Sequence, residues 1–347
     1  MTRDCKRTML RRTAFTLLLA ASIARAVSLD ETARAFWHQV KTAPVVVHPS
    51  PQQSVGKSTQ RLEAQRRADV PGIPAPVRFR EVEGRGLLVQ AWVNGAGAYT
   101  FALDTGAGAT IISRRVARAA GVAISERAVR LGGLSGARGG ESREASVRSL
   151  ALGNADNVLT GRGLVIVTDG LPPDLDGVID PSESLLPLGY GLDFVRGEMT
   201  AFDPRFDPVR PNQESLGGAV VHWLRDSDSR RPFVSLNGGT RALVDTGSGF
   251  GLALTEQAAI AFGVLPGGRG RGHEPVRDLG RGEVNARRVA PATIAIGSLV
   301  LRRVPTDLLF GTASDAPVLL GRDALRPFRL TFDPLHRLIR FAPQARP

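Results

Sequence analysis

Two stretches of this chain carry the same three residues in the same setting. Asp104-Thr105-Gly106 follows Phe101-Ala102-Leu103, and Asp245-Thr246-Gly247 follows Ala242-Leu243-Val244. With 20 Asp, 20 Thr and 39 Gly in the chain, random order would give about 0.13 such tripeptides. An apolar strand can deliver each Asp to a dry interface. The Gly permits a tight turn and a close backbone approach, so that N–H groups reach a carboxylate. The Thr hydroxyl can brace one turn against the other. Brought together, Asp104 and Asp245 would stand about 3 Å apart and share one proton, because two such carboxylates cannot both ionise cheaply. One is then a base and the other an acid in the same pH window. Such a pair can hold a water, deprotonate it and protonate a peptide group.

The elements that must position these residues occur twice, in one order. Strand-like Leu87 to Val93 leads to Asn94-Gly95, and strand-like Phe233 to Leu236 leads to Asn237-Gly238. Asn-Gly is a hairpin turn signal because both residues tolerate positive φ. After each Asp turn a short helix is expected, capped by Ser113 and ended by Gly121 in the first half, by Thr255 and Gly263 in the second. Glycine-rich stretches follow, Leu131 to Gly140 and Gly267 to Gly282. Each leads to an alternating strand ending in Gly, at Leu150 to Gly153 and Ile294 to Gly297. The halves close on Phe202-Asp203-Pro204 and Phe332-Asp333-Pro334. Many short strands with turn signals predict all-β lobes.

These residues resemble a bacterial retropepsin-like aspartic protease that carries both Asp turns in one chain, over about residues 77–343. The resemblance implies two pseudo-two-fold-related β-barrel lobes, each with a short helix after its Asp-Thr-Gly turn. It implies Asp104 and Asp245 as catalytic residues, supported by Thr105, Gly106 and Ala107 and by Thr246, Gly247 and Ser248. The glycine-rich stretches would be flaps over a substrate, with Gly132, Gly133 and Gly136 in one and Gly270 and Gly272 in the other. Peptide or protein would be the substrate, hydrolysed by activated water with no cofactor, no metal and no covalent intermediate. A monomer would suffice, since both Asp turns lie in one chain. The alternative is a peptide- or protein-binding module that does not cut.

The pattern is uneven between the halves. Leu319-Leu320-Gly321, followed by Arg322-Asp323-Ala324-Leu325, fits the apolar-apolar-Gly segment that packs behind an Asp turn in the family. The first half offers Val178-Ile179-Asp180 or, aligned from Phe202-Asp203-Pro204, Gly189-Tyr190-Gly191, with an insertion over roughly residues 181–188 either way. Ala107 stands where the second half has Ser248. A hydroxyl donated to a carboxylate favours ionisation, so the expectation is an ionised Asp245 and a proton held by Asp104.

The expected organisation is a signal peptide over 1–26, a linker or pro-segment over 27–76, lobes over 77–204 and 219–343, and a connection over 205–218. The basic residues Arg3, Lys6, Arg7, Arg11 and Arg12 precede the apolar stretch 14–24, and Ala24-Arg25-Ala26 reads as a cleavage site. Export to the periplasm or medium is the expectation; an uncleaved inner-membrane anchor over 14–24 is the alternative, and only then would a membrane be a partner. Residues 44–76 are rich in Pro, Gln, Ser and Arg without a sustained period. Gly56-Lys57-Ser58 lacks the earlier Gly of a phosphate-binding loop, since Pro51 stands there.

Composition excludes other chemistry. The single cysteine, Cys5, rules out a disulfide framework, a zinc ribbon and an iron–sulfur site. The net charge of +12 comes from scattered Arg without a block of like charge, and aromatics are only 5%, so no nucleic-acid partner is expected. His38, His48, His222, His273 and His336 show no metal-ligand spacing. Asp174, Asp176 and Asp180 lack a full calcium-loop pattern and read as a solvated acidic loop. No Gly-x-Ser-x-Gly elbow occurs.

Overall fold

A computed structural model describes residues 72–137, 141–226, 229–264, 276–278 and 282–344, all within one compact unit, Val70–Pro347. The expected signal peptide, the linker up to residue 71, and Gly270 and Gly272 lie outside the described residues. The fold is all-β, with four short helices among the described residues: α1 (Arg114–Ala119), α2 (Pro181–Ser184), α3 (Glu256–Ala261) and α4 (Arg322–Leu325).

Each Asp turn ends a hairpin. In the first half Gly86–Val93 pairs antiparallel with Ala96–Leu103. In the second, Phe233–Leu236 pairs antiparallel with Thr240–Asp245. Both hairpins turn at the Asn-Gly pairs, with φ of 52° and 84° at Asn94 and Gly95 and 50° and 77° at Asn237 and Gly238. Positive φ at both positions matches the right-handed twist of the flanking strands. The chain then runs through the turn into Ile111–Ser113 and α1, or into Leu252–Thr255 and α3. Ser113 Oγ accepts from Val116 N at 3.2 Å, and Thr255 Oγ1 accepts from Ala258 N at 3.2 Å. Helices this short are held by packing rather than by propensity: α1 buries Val116 and Ala117, and α3 buries Ala259.

A parallel strand lies beside each Asp-bearing strand. Gly177, Val178 and Ile179 face Phe101, Ala102 and Leu103, and Val318 to Gly321 face Ala242 to Asp245. This register assigns the segment behind the first turn to Val178-Ile179-Asp180. Gly189-Tyr190-Gly191 instead belongs to a strand of another sheet, Gly189–Asp193.

The expected insertion over residues 181–188 is therefore not one. Pro181–Ser184 forms α2, in the place that α4 takes after Gly321. The closing correspondence shifts with it. Asp193 and Asp333 each end a strand and accept the backbone N–H three residues on, from Arg196 at 2.8 Å and from His336 at 2.9 Å. Asp203, which the sequence pairs with Asp333, lies after the following strand and binds Arg205. The shared Phe-Asp-Pro tripeptide is a local likeness; strand pairing sets the true equivalence.

The closing strands of both halves form one sheet. Six strands run in the order Val77–Arg78, Glu198–Phe202, Gly189–Asp193, Phe328–Asp333, Leu338–Pro343, Ala219–His222, three from each half. At its centre Tyr190 faces Phe332, with ring centroids 4.6 Å apart and stacked. The boundaries expected at 204 and 219 therefore separate stretches of chain that meet in a common sheet. A single cluster of buried side chains, including Leu103, Ile179, Tyr190, Val244, Leu320 and Phe332, draws on both halves. Each fully buried side chain of this size contributes about 1.5–3 kcal/mol.

Candidate active site

The two turns grip each other through their threonines. Thr105 N donates to Thr246 Oγ1 at 3.1 Å, and Thr246 N donates to Thr105 Oγ1 at 3.1 Å. Thr105 Oγ1 donates to the Val244 carbonyl at 2.6 Å, and Thr246 Oγ1 to the Leu103 carbonyl at 3.2 Å. Both threonines are wholly buried. Every one of these bonds crosses from one half to the other, so the threonines set the spacing of the aspartates they follow.

The glycines let the aspartates approach. A Cβ at Gly106 would sit 2.7 Å from the Asp245 carboxyl carbon, and one at Gly247 would overlap the Asp104 carboxylate. Each glycine thus makes room for the carboxylate of the opposite half. The two carboxyl groups are close enough for each to act on the proton affinity of the other. Asp104 Oδ1 accepts from Gly106 N at 2.7 Å and Gly247 N at 3.2 Å. Asp245 Oδ1 accepts from Gly247 N at 2.8 Å and Ser248 N at 3.0 Å.

The proton affinities of the pair are unequal. Burial raises both carboxyls, but Asp245 is raised well above its ordinary value, with the Asp104 charge and the bond to Asp104 adding to burial. Asp104 is raised too, by burial, and is held back by the Gly106 N–H, the bond from Asp245, the Gly247 N–H and the Arg322 guanidinium. Burial therefore favours the protonated form of both carboxyls, and of Asp245 the more strongly. The bond on which the expectation from Ser248 rested is not formed. Its hydroxyl does not reach the carboxylate; Ser248 Oγ accepts from Phe250 N at 3.3 Å, and only the backbone N–H of Ser248 bonds to Asp245.

Arg322 is the residue that sequence reasoning passed over. Its side chain is only 5% exposed. Nη1 donates to the Thr246 carbonyl at 2.7 Å and the Gly247 carbonyl at 2.8 Å, so it braces the second turn from behind. Nε pairs with Glu81 at 2.9 Å, and Arg326 joins the same carboxylate. Burial alone would raise Glu81, but the two arginines hold it below its ordinary value. The only signal in the sequence was an Arg directly after the apolar-apolar-Gly segment.

Of the acidic loop, Asp174 is solvated as expected, but Asp176 and Asp180 are not. Asp174 is half-exposed and pairs with Arg85 at 2.6 Å. Asp176 is buried: it accepts from Thr100 N at 3.0 Å and pairs with Arg115. Asp180 is wholly buried. A strand fits these two carboxylates inside because backbone N–H groups, at Thr100 and Ser182, receive them.

The first glycine-rich stretch joins two strands, Ala123–Val129 and Ser142–Ser146, paired antiparallel. Its described part meets the second half. Ser135 N donates to Asp278 Oδ2 at 2.8 Å, and the Leu134 carbonyl accepts from Ala313 N at 2.8 Å. Gly133 lies against the Asp278 carboxylate and Gly136 against Ala313. Gly282 N in turn donates to Asp278 Oδ1 at 3.0 Å. Ala107 packs against the small cluster of Leu88, Ala102 and Ile111. His336 pairs with Asp333 within its own hairpin, and His222 is exposed.

Residues 89–179 match a family model described as an aspartyl protease. That span holds the first Asp turn, α1 and the parallel strand behind the turn. No curated protein matches the chain in sequence.

Proposed function

From an aspartyl-protease domain of the retropepsin-like kind, we propose that the chain is an endopeptidase whose Asp104 and Asp245 together activate one water. The threonine brace, which holds each carboxyl against the turn glycine of the other half, carries this reading. Asp104 takes a proton from water as its oxygen attacks the peptide carbonyl carbon, while Asp245 gives its proton to the carbonyl oxygen. The tetrahedral diol then collapses. Asp104 passes its proton to the leaving nitrogen, the C–N bond breaks, and Asp245 recovers a proton from a diol hydroxyl. Both carboxyls return to their starting state, with no covalent intermediate.

The first glycine-rich hairpin acts as a flap in this reading, with Asp278 and Ala313 as its contacts across the site. A monomer holds the complete pair. The basic and apolar segment at residues 3–24 supports export, and hence extracytoplasmic substrates. The test is cleavage of a broad peptide library by the chain, with and without residues 27–71, from about pH 3 to 8. Cleavage abolished by Asp104→Asn and by Asp245→Asn is expected. A well-folded wild type that binds peptides but cuts none would instead mean a binding module.

A further inference from the structure

Asp180 stands at the position where the second half has Gly321. On the parallel strand pair it neighbours Asp104: Ile179 faces Leu103, and Asp104 N donates to the Ile179 carbonyl at 3.0 Å. In the second half a Cβ at Gly321 would overlap the Phe250 carbonyl. The first half has room for a side chain and fills it with a carboxyl. Asp180 Oδ1 accepts from Ser182 N at 2.8 Å, capping α2, and Asp180 N donates to Thr110 Oγ1 at 3.2 Å. Oδ2 is buried without a hydrogen-bond partner. A buried carboxylate oxygen with no donor is costly as an anion and far less so as an acid.

We propose that Asp180 is a third carboxyl group of the site, which acts through Asp104 and touches no substrate. At neutral pH it is an uncharged acid. At alkaline pH it ionises, and its negative charge beside Asp104 keeps the shared proton on the aspartate pair. The alkaline edge of activity is thereby carried toward higher pH, while the acid edge, where Asp180 is neutral, is untouched.

On balance the groups facing Asp180 disfavour its anion. Burial pushes its carboxyl up to about 8, the Ser182 N–H and hydroxyl pull it back, and the charges of Glu183 and Asp104 push it further up. Glu183, on α2, is itself raised by burial and drawn down by Arg230 and Arg162. Tyr190, on the next strand of the chain, binds Ser182 Oγ at 2.9 Å, and burial holds its phenol well above the ordinary value, so it stays neutral. Among the described residues no cation bonds to Asp180 to offset these charges, whereas Arg322 stands at the next position in the other half.

This inference rests on the protease reading, and its test separates the two. Peptide cleavage and urea unfolding of wild type, Asp180→Asn and Asp180→Gly are compared from pH 4 to 9. The alkaline limb of both variants should move to lower pH by about one unit, as expected for removal of a like charge nearby, with the acid limb in place. A variant that merely loosens α2 would scale the rate at every pH without moving a limb. Because the folded-state value of Asp180 lies above its ordinary one, its contribution to stability is complete at about pH 4 and lost as pH rises through about 8. The wild-type urea midpoint should therefore fall relative to Asp180→Asn across that range. An unmoved alkaline limb, or parallel midpoints, overturns the proposal. If wild type cleaves nothing, the protease reading fails, and unfolding of Asp104→Asn, Asp180→Asn and the double variant at pH 8 decides. Non-additive midpoints support coupled carboxyls, and additive ones overturn it.

Discussion

Behind Asp245 the chain places Gly321 and a buried guanidinium. Behind Asp104 it places Asp180 and a proline. The turns themselves match bond for bond through Thr105 and Thr246, and each carboxylate accepts two backbone N–H groups. The halves thus agree in what holds the aspartates and differ in the charge that stands behind them. The shared parts fix the geometry and, with burial, most of the proton affinity; the unshared Arg322 adds a smaller pull on Asp104. Although Arg322 bonds to the second turn, its charge acts on the aspartate of the first, where it partly offsets the effect of burial.

Substitutions that abolish the shared geometry should act most strongly. Gly247→Ala puts a methyl into the Asp104 carboxylate, and Gly106→Ala one against Asp245. Overpacking of this kind costs about 1–3 kcal/mol of stability, and the displaced carboxylates should cost on the order of 100-fold in kcat/KM. Equal losses at the two glycines would sharpen the equivalence of the turns; a silent variant at either would break it. Thr105→Val and Thr246→Val each strand a buried N–H and carbonyl, at about 2–4 kcal/mol by urea unfolding. Thr→Ser at either position should recover most of that.

The unshared parts give smaller and one-sided effects. Arg322→Met leaves two turn carbonyls without their donor and takes one of two arginines from Glu81, at about 2 kcal/mol. It also removes a charge that lowers Asp104, so the acid limb of the pH–rate profile should move to higher pH. An acid limb that stays put would mean that the arginine only braces the turn. The smallest effect belongs to Ser248→Ala. Its hydroxyl accepts from Phe250 N and does not touch Asp245, so the cost should be about 1 kcal/mol or less and neither limb should move.

Local signals in the sequence were readable because their causes are local. The Asn-Gly turns, the Ser113 and Thr255 caps and the two Asp-Thr-Gly turns each follow from a few adjacent residues, and all formed as the residue types require. What the sequence hid depends on pairing between distant strands. Phe202-Asp203-Pro204 looks like Phe332-Asp333-Pro334, yet Asp193 is the true counterpart of Asp333, because the hydrogen-bonded ladder and the Arg196 and His336 N–H groups define that position. The burial of Asp180 was likewise invisible. Three carboxylates close together in sequence look like a wet loop until a parallel strand carries two of them inside. The Ser248 expectation failed for a similar reason: the hydroxyl had a nearer backbone donor in Phe250.

The most direct test of the account is the rate of peptide cleavage by Asp104→Asn, Asp245→Asn and the double variant, each folded as judged by its unfolding transition. Two carboxyls working as one unit predict that either single substitution already removes nearly all activity, and that the double variant is no slower than the singles. A double variant slower by the product of the two single losses, or either single variant that still cleaves at close to the wild-type rate, would contradict it.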